Sequence, residues 1–356
     1  MELGIGLTNT GNSCYLNSAL QLLGLVDSLH AYAHSNKLKD DILLRLGKEP
    51  EKQSEGEAIL WWGELLKHMH QPHAKKFHVN PKPLRDWMSK INRTWGTFDQ
   101  QDAQEALGFL IDQFSSFLGR PHQFNAVTNE VNRQFEKIAD ESWRQHYEKQ
   151  YSIFEELFHG QEHIITECKS CKHQNHRFDP FLFCLLDTDK TQVENIQNVE
   201  PWLRPWVARF ESENLDDYKC DGCKKVGTSH RNHHWWRAPP YLFTVWKSFT
   251  GSRITPQFTL PKEGETVRLR VHPDMKEPVE YILLGFIYHI GGMHGGHYTM
   301  VRVPSPEWGN HSIWIDDHDI RGWNHELLKH GRVYVGLWKK KDYMVEQSTF
   351  WQKIAT

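Results

Sequence analysis

Two Cys-x-x-Cys pairs constrain this chain more than any other feature. Cys168-Lys169-Ser170-Cys171 and Cys220-Asp221-Gly222-Cys223 offer four thiols, with 49 positions between Cys171 and Cys220. Four thiolates match the closed tetrahedral shell of a structural zinc ion. A gap this long exceeds that of a compact zinc ribbon, so the knuckles belong at the tips of separate hairpins tied by one Zn2+. A shell closed by four sulfurs has no open position, which makes the ion structural and not catalytic. No basic segment followed by an apolar one opens the chain, so no secretory leader is readable. That favours a reducing compartment, where this spacing reads as metal before disulfide. His230, His233 and His234 are nearby rival ligands and read as solvated loop residues. Cys184, inside the apolar run 181–186, reads as a packed core thiol.

Charge narrows the partners. Lys and Arg number 42 against 45 Asp and Glu, a net charge of -3. A nucleic-acid binder needs a continuous basic stripe, and none is present, so nucleic acid is not an expected partner. The apolar stretch 281–290, broken by Gly285 and His289, falls well short of a membrane span, so no membrane partner is expected. With 15 Trp, 11 Tyr and 18 Phe, the chain has enough large side chains to fill a sizeable core.

Apolar periodicity divides the chain. A run of turn and cap formers, residues 9–13, precedes a short helix over 14–25. Residues 37–56 are polar and expected as loop. Helices follow over 57–70, from Pro81 and Pro83 to Ile91, and from Asp102, where Ala103, Leu107, Leu110, Phe114 and Leu118 form a wide apolar stripe. Residues 125–150 carry a weaker helical pattern. Beyond 158 the texture becomes short β-rich runs at 161–167, 176–186, 241–249, 266–271, 281–289, 297–303, 312–316 and 333–338. Helices first and strands later predict an α+β protein, not a wound parallel sheet.

Catalytic chemistry is readable in three places. Cys14 opens the first helix, where unpaired N–H groups favour a thiolate. Asn9 and Asn12 offer side-chain N–H donors of the kind an oxyanion needs. His297 ends a glycine-rich loop, residues 291–296, and starts a β-run that would hold its ring. Asp316 lies 19 residues further on, beside Asp317, at the end of a short strand, and either carboxylate is able to orient the imidazole. Taken singly, each has a bland reading: a core thiol, a hairpin His, a solvated turn.

Together they resemble a known family. G-L-T-N-T-G-N-S-C-Y-L-N-S-A-L-Q at 6–21 is similar to the cysteine box of the ubiquitin-specific proteases, cysteine-protease deubiquitinases of the C19 type. G-G-H-Y at 295–298 resembles their histidine box, and W-I-D-D-H-D-I at 314–320 the acidic element after it. Q-Q-D-A-Q-E at 100–105 resembles the glutamine–aspartate box, and 168–181 the first zinc knuckle with its strand. Y-L-F-T-V-W-K-S-F at 241–249 stands where the family strand usually ends Leu-Lys-Arg-Phe. The elements keep family order from residue 6 to about 338. Ser13 for Thr, Ala106 for a bulky residue and Ser248 for Arg mark a divergent, minimal member.

The resemblance implies a papain-like hand over residues 1–356, one catalytic domain. A helical thumb (about 1–150) would carry Cys14. Zinc-tipped β fingers (about 151–240) and a β palm (about 241–340) with His297 and Asp316 would follow, then a short tail, 341–356. It implies Cys14 as nucleophile, His297 as base, Asp316 (or Asp317 in its stead) as the third member and Asn9 as an oxyanion donor. Asp179, His289, Gly291, Gly295, Gly296, Phe249 and Gln101 would contact the substrate. The implied activity is hydrolysis after the C-terminal Gly-Gly of ubiquitin or polyubiquitin conjugates, by a monomer in the cytoplasm or nucleus (the host cytosol for a chain from a pathogen). Two other readings stay open: an inactive ubiquitin-binding pseudoenzyme and a protease for a ubiquitin-like modifier.

Overall fold

The computed structural model describes residues 2–69, 72–73, 78–124, 133–187, 202–247, 249–250, 253–254, 261, 265–292, 295–305, 311–323 and 332–345. Its first half is helical: α1 (Cys14–Leu23), α2 (Asp27–His34), α3 (Lys37–Lys48), α4 (Gln53–His68), α5 (Lys82–Ile91), α6 (Ala103–Leu118), α7 (Arg133–Tyr147) and α8 (Ile153–Phe158). Short strands stitch its edge. β1 (Glu2–Leu3) pairs antiparallel with β3 (Pro72–His73), and β2 (Gly6–Leu7) pairs parallel with β4 (His78–Val79).

Local chemistry fixes the helix ends. Asp102 caps α6 by accepting from Gln104 N and Glu105 N. At α8, Ser152 and Glu155 form a reciprocal capping box. Residues 37–56, expected as loop, are instead α3, a 3-10 turn over Pro50–Lys52 and the start of α4. Leu38 and Ile42 are buried one turn apart, which gives α3 a narrow apolar stripe. Leu43 and Leu44 point to solvent, 56% and 54% exposed, and blur that stripe in the sequence.

A four-stranded sheet follows, in the order β6-β5-β9-β8, from β5 (Gly160–Cys168), β6 (Gln174–Phe181), β8 (Glu213–Leu215) and β9 (Ser229–Arg237). The run 176–186 is two strands, since β7 (Phe183–Asp187) leaves this sheet and joins the next. Helix α9 (Arg204–Arg209) packs on β7. His230, His233 and His234 are not solvated loop residues. They lie half-buried on β9, paired with β5, because Trp235 and Trp236 anchor that strand and Glu162 accepts from His233 Nδ1.

The large sheet holds β10 (Tyr241–Lys247), β13 (Thr266–Leu269), β14 (Val279–Gly292), β15 (Gly295–Arg302), β16 (Ile313–Asp316), β17 (Asp319–Gly322) and β18 (Arg332–Lys340), in the order β17-β16-β15-β14-β18-β10-β7 with β13 on β14. The two-residue strands β11 (Phe249–Thr250) and β12 (Arg253–Ile254) pair outside it. One face of the sheet, with Phe243, Leu284, Ile287 and Val335, shares a core with the helices. The other, with Leu283, Phe286, Tyr288 and Trp338, shares a core with α9 and the base of the knuckle sheet through Trp206 and Trp235. Cys184 is buried there, and burial pushes its thiol up. Every residue of α1 is buried, between α6 and strands β14–β16. A helix buried all round is pinned from all sides, which fixes Cys14 against the sheet.

Candidate active site

The turn before α1 is folded by its own polar groups. Asn9 Oδ1 accepts from Gly11 N at 3.0 Å and Ser13 N at 3.2 Å, and Ser13 Oγ accepts from Thr10 N at 2.8 Å. Gly11 has φ +95°, and a side chain there would meet the Phe98 ring at 2.7 Å. Asn12 follows with φ 50° and donates to Phe98 O at 2.6 Å. Two left-handed residues in a row turn the chain sharply, and Asn tolerates that region better than most side chains. The turn thus leaves Cys14, 5% exposed, at the first position of the helix.

His297 stands on β15 opposite Ile290 of β14, and β15 packs on α1, whose first residue is Cys14. Its Nε2 lies 2.6 Å from Asp316 Oδ1. Asp316 ends β16, which pairs with β15, so two neighbouring strands bring the base and its carboxylate together. The hydrogen bond to Asp316, with the nearby Cys14 acting in the same direction, outweighs burial and pushes the imidazole up to about 10. His297 is therefore an imidazolium at neutral pH. Arg321, stacked on Trp314, reaches the outer oxygen of Asp316 at 3.8 Å.

Asp317 faces the other way. With φ 51° it accepts from Asn9 Nδ2 at 2.9 Å and Asn17 Nδ2 at 2.7 Å, and its carbonyl accepts from Leu7 N at 2.8 Å. A carboxylate oxygen of Asp317 still lies within 4.8 Å of a ring nitrogen of His297. Asn9 is exposed, and its amide donates to Asp317.

The remaining expected residues separate. Gly291, at φ +129°, packs on Gly296, where a side chain on either would collide with backbone at 2.6 Å. Gly295 is exposed, and Gly296 N donates at 2.6 Å to Gln100, not Gln101. Gln101 is half-buried. His289 is buried behind Gly296, with its ring 4.6 Å from that of Tyr298. Asp179 pairs with Arg177 at 2.7 Å on β6, a strand of the knuckle sheet. The Phe249 side chain lies outside the described residues. Sequence reading missed Gln100, Asn17 and Arg85, which are polar residues inside helical or turn patterns. Only the doubled Gln beside Asp102 gave any signal.

The four knuckle cysteines converge. Cys168 ends β5, Cys171 sits in the β5–β6 turn, and Cys220 and Cys223 sit in the turn before β9. All four are free thiols with sulfurs within 4.8 Å of one another; Cys168 Sγ–Cys223 Sγ is 3.7 Å and Cys171 Sγ–Cys220 Sγ is 3.6 Å. Metal–sulfur bonds of ~2.3 Å arranged tetrahedrally require sulfur–sulfur edges of about 3.8 Å, so the cluster fits a metal ion. The knuckles are built alike. Lys172 N donates to Cys168 O and Lys224 N to Cys220 O, both at 2.9 Å, and Lys172 and Lys224 are both left-handed, at φ 61° and 62°.

The profile of the ubiquitin carboxyl-terminal hydrolase family matches residues 5–338. The chain belongs to that family. It is similar to ubiquitin carboxyl-terminal hydrolase 32 of Mus musculus, 32% identical over 183 residues, covering 51% of this chain and 11% of that protein. It is also similar to ubiquitin carboxyl-terminal hydrolase 4 of Saccharomyces cerevisiae (strain YJM789), 24% identical over 331 residues, covering 84% of this chain and 35% of that one. The chain thus spans about a third or less of these relatives' length. The SAGA Ubp8/Sgf11/Sus1/Sgf73 DUB module bound to ubiquitin aldehyde shares the fold, with a TM-score of 0.69 at 18% identity over 96% of this chain and 70% of that one. The α+β fold is therefore the thumb, fingers and palm of the ubiquitin-specific proteases. No described helix is long and apolar enough to cross a membrane.

Proposed function

We propose that this chain is a thiol-dependent deubiquitinase that cleaves the bond after the C-terminal Gly-Gly of ubiquitin through a thioester on Cys14. The observation that carries the proposal is the His297–Asp316 hydrogen bond on strands packed against α1, whose first residue is Cys14. Cys14 Sγ attacks the terminal Gly carbonyl carbon, and the carbonyl becomes an oxyanion. The second Nδ2 hydrogen of Asn9 and the Cys14 backbone N–H stabilise that charge. The C–N bond breaks as His297 gives its proton to the leaving lysine amine. Water then attacks the thioester, His297 takes its proton, and ubiquitin leaves with a carboxylate while the thiolate returns. Asp316 holds the imidazole in one orientation throughout.

Asp317 serves as scaffold: its bonds to Asn9 and Asn17 argue for holding the oxyanion side. The glycines at 291 and 295–296 leave room for a tail that is itself glycine at its end. Gln101, Asp179, Phe249 and His289 stay proposed substrate-side residues, His289 from behind the glycine hairpin. One zinc ion held by Cys168, Cys171, Cys220 and Cys223 would keep the finger tips together and take no part in bond breaking. Cytoplasm or nucleus is the proposed site of action, in keeping with the free cysteines.

Ubiquitin carrying an electrophile in place of its last carboxylate tests the reading. Mass mapping is expected to find one ubiquitin on Cys14 of the wild type and none on Cys14→Ala, which still binds ubiquitin. Adducts formed only with a ubiquitin-like probe would move the substrate to that modifier. Ubiquitin binding without any adduct would make the chain a pseudoenzyme.

A further inference from the structure

Arg85, on α5, is 6% exposed, yet among the described residues no carboxylate pairs with it. A buried charge without a counter-ion is costly unless hydrogen bonds replace its water. Here they come from main-chain carbonyls. Nε donates to Trp95 O at 3.0 Å, Nη2 to Thr97 O at 2.5 Å, and Nη1 to Thr10 O at 2.8 Å and Thr10 Oγ1 at 3.1 Å. The Tyr15 hydroxyl, next in sequence to Cys14, donates at 3.4 Å to the same Trp95 carbonyl that Arg85 Nε holds.

These acceptors belong to the two segments that meet at the nucleophile. Thr10 lies in the turn that sets the start of α1. Trp95 and Thr97 lead into the loop whose Phe98 packs on Gly11 and receives the Asn12 amide. That loop continues to Gln100, which holds Gly296 beside His297. One planar fork thus ties the cysteine turn to the loop that reaches the histidine strand. Charge-assisted bonds to three carbonyls in different directions suit a guanidinium and not the point charge of an ammonium.

We infer that Arg85 is a positioning residue for the reaction: it holds the 9–13 turn so that Cys14 and its oxyanion donors meet the scissile carbonyl. The inference rests on the deubiquitinase reading only for its choice of substrate. A displacement of about 1 Å at a reacting group costs ~100-fold in rate.

The test compares wild type, Arg85→Gln and Arg85→Lys on ubiquitin joined through its last glycine to a lysine reporter. Arg85→Gln is expected to lower kcat by ~10- to 100-fold with KM nearly unchanged; the melting temperature falls, because buried carbonyls lose their donor, but the protein stays folded at the assay temperature. Ubiquitin Kd, measured on a Cys14→Ala background, is expected to stay the same. Arg85→Lys should recover part of kcat. Alkylation of Cys14 by iodoacetamide across pH, read by mass, needs no ubiquitin; it should slow and shift its midpoint in Arg85→Gln. Wild type inert on the reporter would sink the deubiquitinase reading, and the alkylation profiles would still decide for or against Arg85. Unchanged kcat and alkylation in Arg85→Gln would overturn the inference. So would a loss of rate that only tracks the folded fraction, or failure of both variants to fold, since Arg85 would then serve the fold alone.

Discussion

At the scale of the residue, two adjacent carboxylates do different work because one of them is left-handed. Asp316 continues the strand and meets His297. Asp317, at φ 51°, turns away to Asn9 and Asn17. Asp316→Asn removes the main cause of the raised imidazole, so its proton is lost at lower pH. The alkaline limb of the kcat/KM profile, expected near pH 10 in wild type, should move toward 6.5, with kcat down by ~1000-fold or more. Asp317→Asn should leave that limb in place and lower kcat less. Equal shifts in both variants would contradict the division of roles. Linkage has the same sign. His297 is raised in the folded state, so the stability it contributes is complete below pH 6.5 and is lost as pH climbs through about 10.

At the scale of the element, the cysteine turn, the glycine hairpin and the knuckles were legible because each rests on residue types with one dominant use. Strand β9 was not. Its histidines look solvated in sequence, and only pairing with β5 and the burial of Trp235 and Trp236 make them strand. Helix α3 was hidden because its exposed leucines mask the two that are buried. Arg85 was invisible because nothing local distinguishes a charge on a helix surface from one enclosed by loops that return later in the chain. Gly6 shows how tight the enclosure is. A methyl group there would lie 2.4 Å from His318 O, where β2 meets the turn after Asp316. Gly6→Ala is expected to destabilise by about 1–3 kcal/mol and to lower kcat, because the turn it displaces carries Asp317. A denaturant titration beside a rate assay checks both, and an unchanged midpoint would show that the turn gives way freely.

At the scale of the whole molecule, thumb and palm share one core, while the far end of the fingers depends on four sulfurs. The base of the fingers is tied into the palm core through Trp235 and Phe181. If those sulfurs hold the zinc proposed above, chelation is expected to raise amide exchange first in 165–175 and 213–231, with α1 and β14 protected under the same conditions. Loss of protection in α1 at the same rate as in the tips would mean that the fold has no such division. Local opening of this kind needs few apolar contacts at the opening end, and the finger tips have few.

The active site joins the two ends of the described chain. Asn9 and Asp317, hydrogen-bonded, are 308 positions apart, and β18, near the end of the described residues, sits between β14 and β10 in the middle of the palm sheet. Contacts this distant in sequence close late, after their loop entropy has been met. During synthesis the N-terminal helices leave the ribosome first, Cys14 among them, with no imidazole to meet and no sheet to lean on. If the proposed function holds, a chain stopped before β15 has no His297 for Cys14 to meet, and one stopped before β18 lacks a central strand of the palm sheet; both are expected to be inert toward the ubiquitin probe.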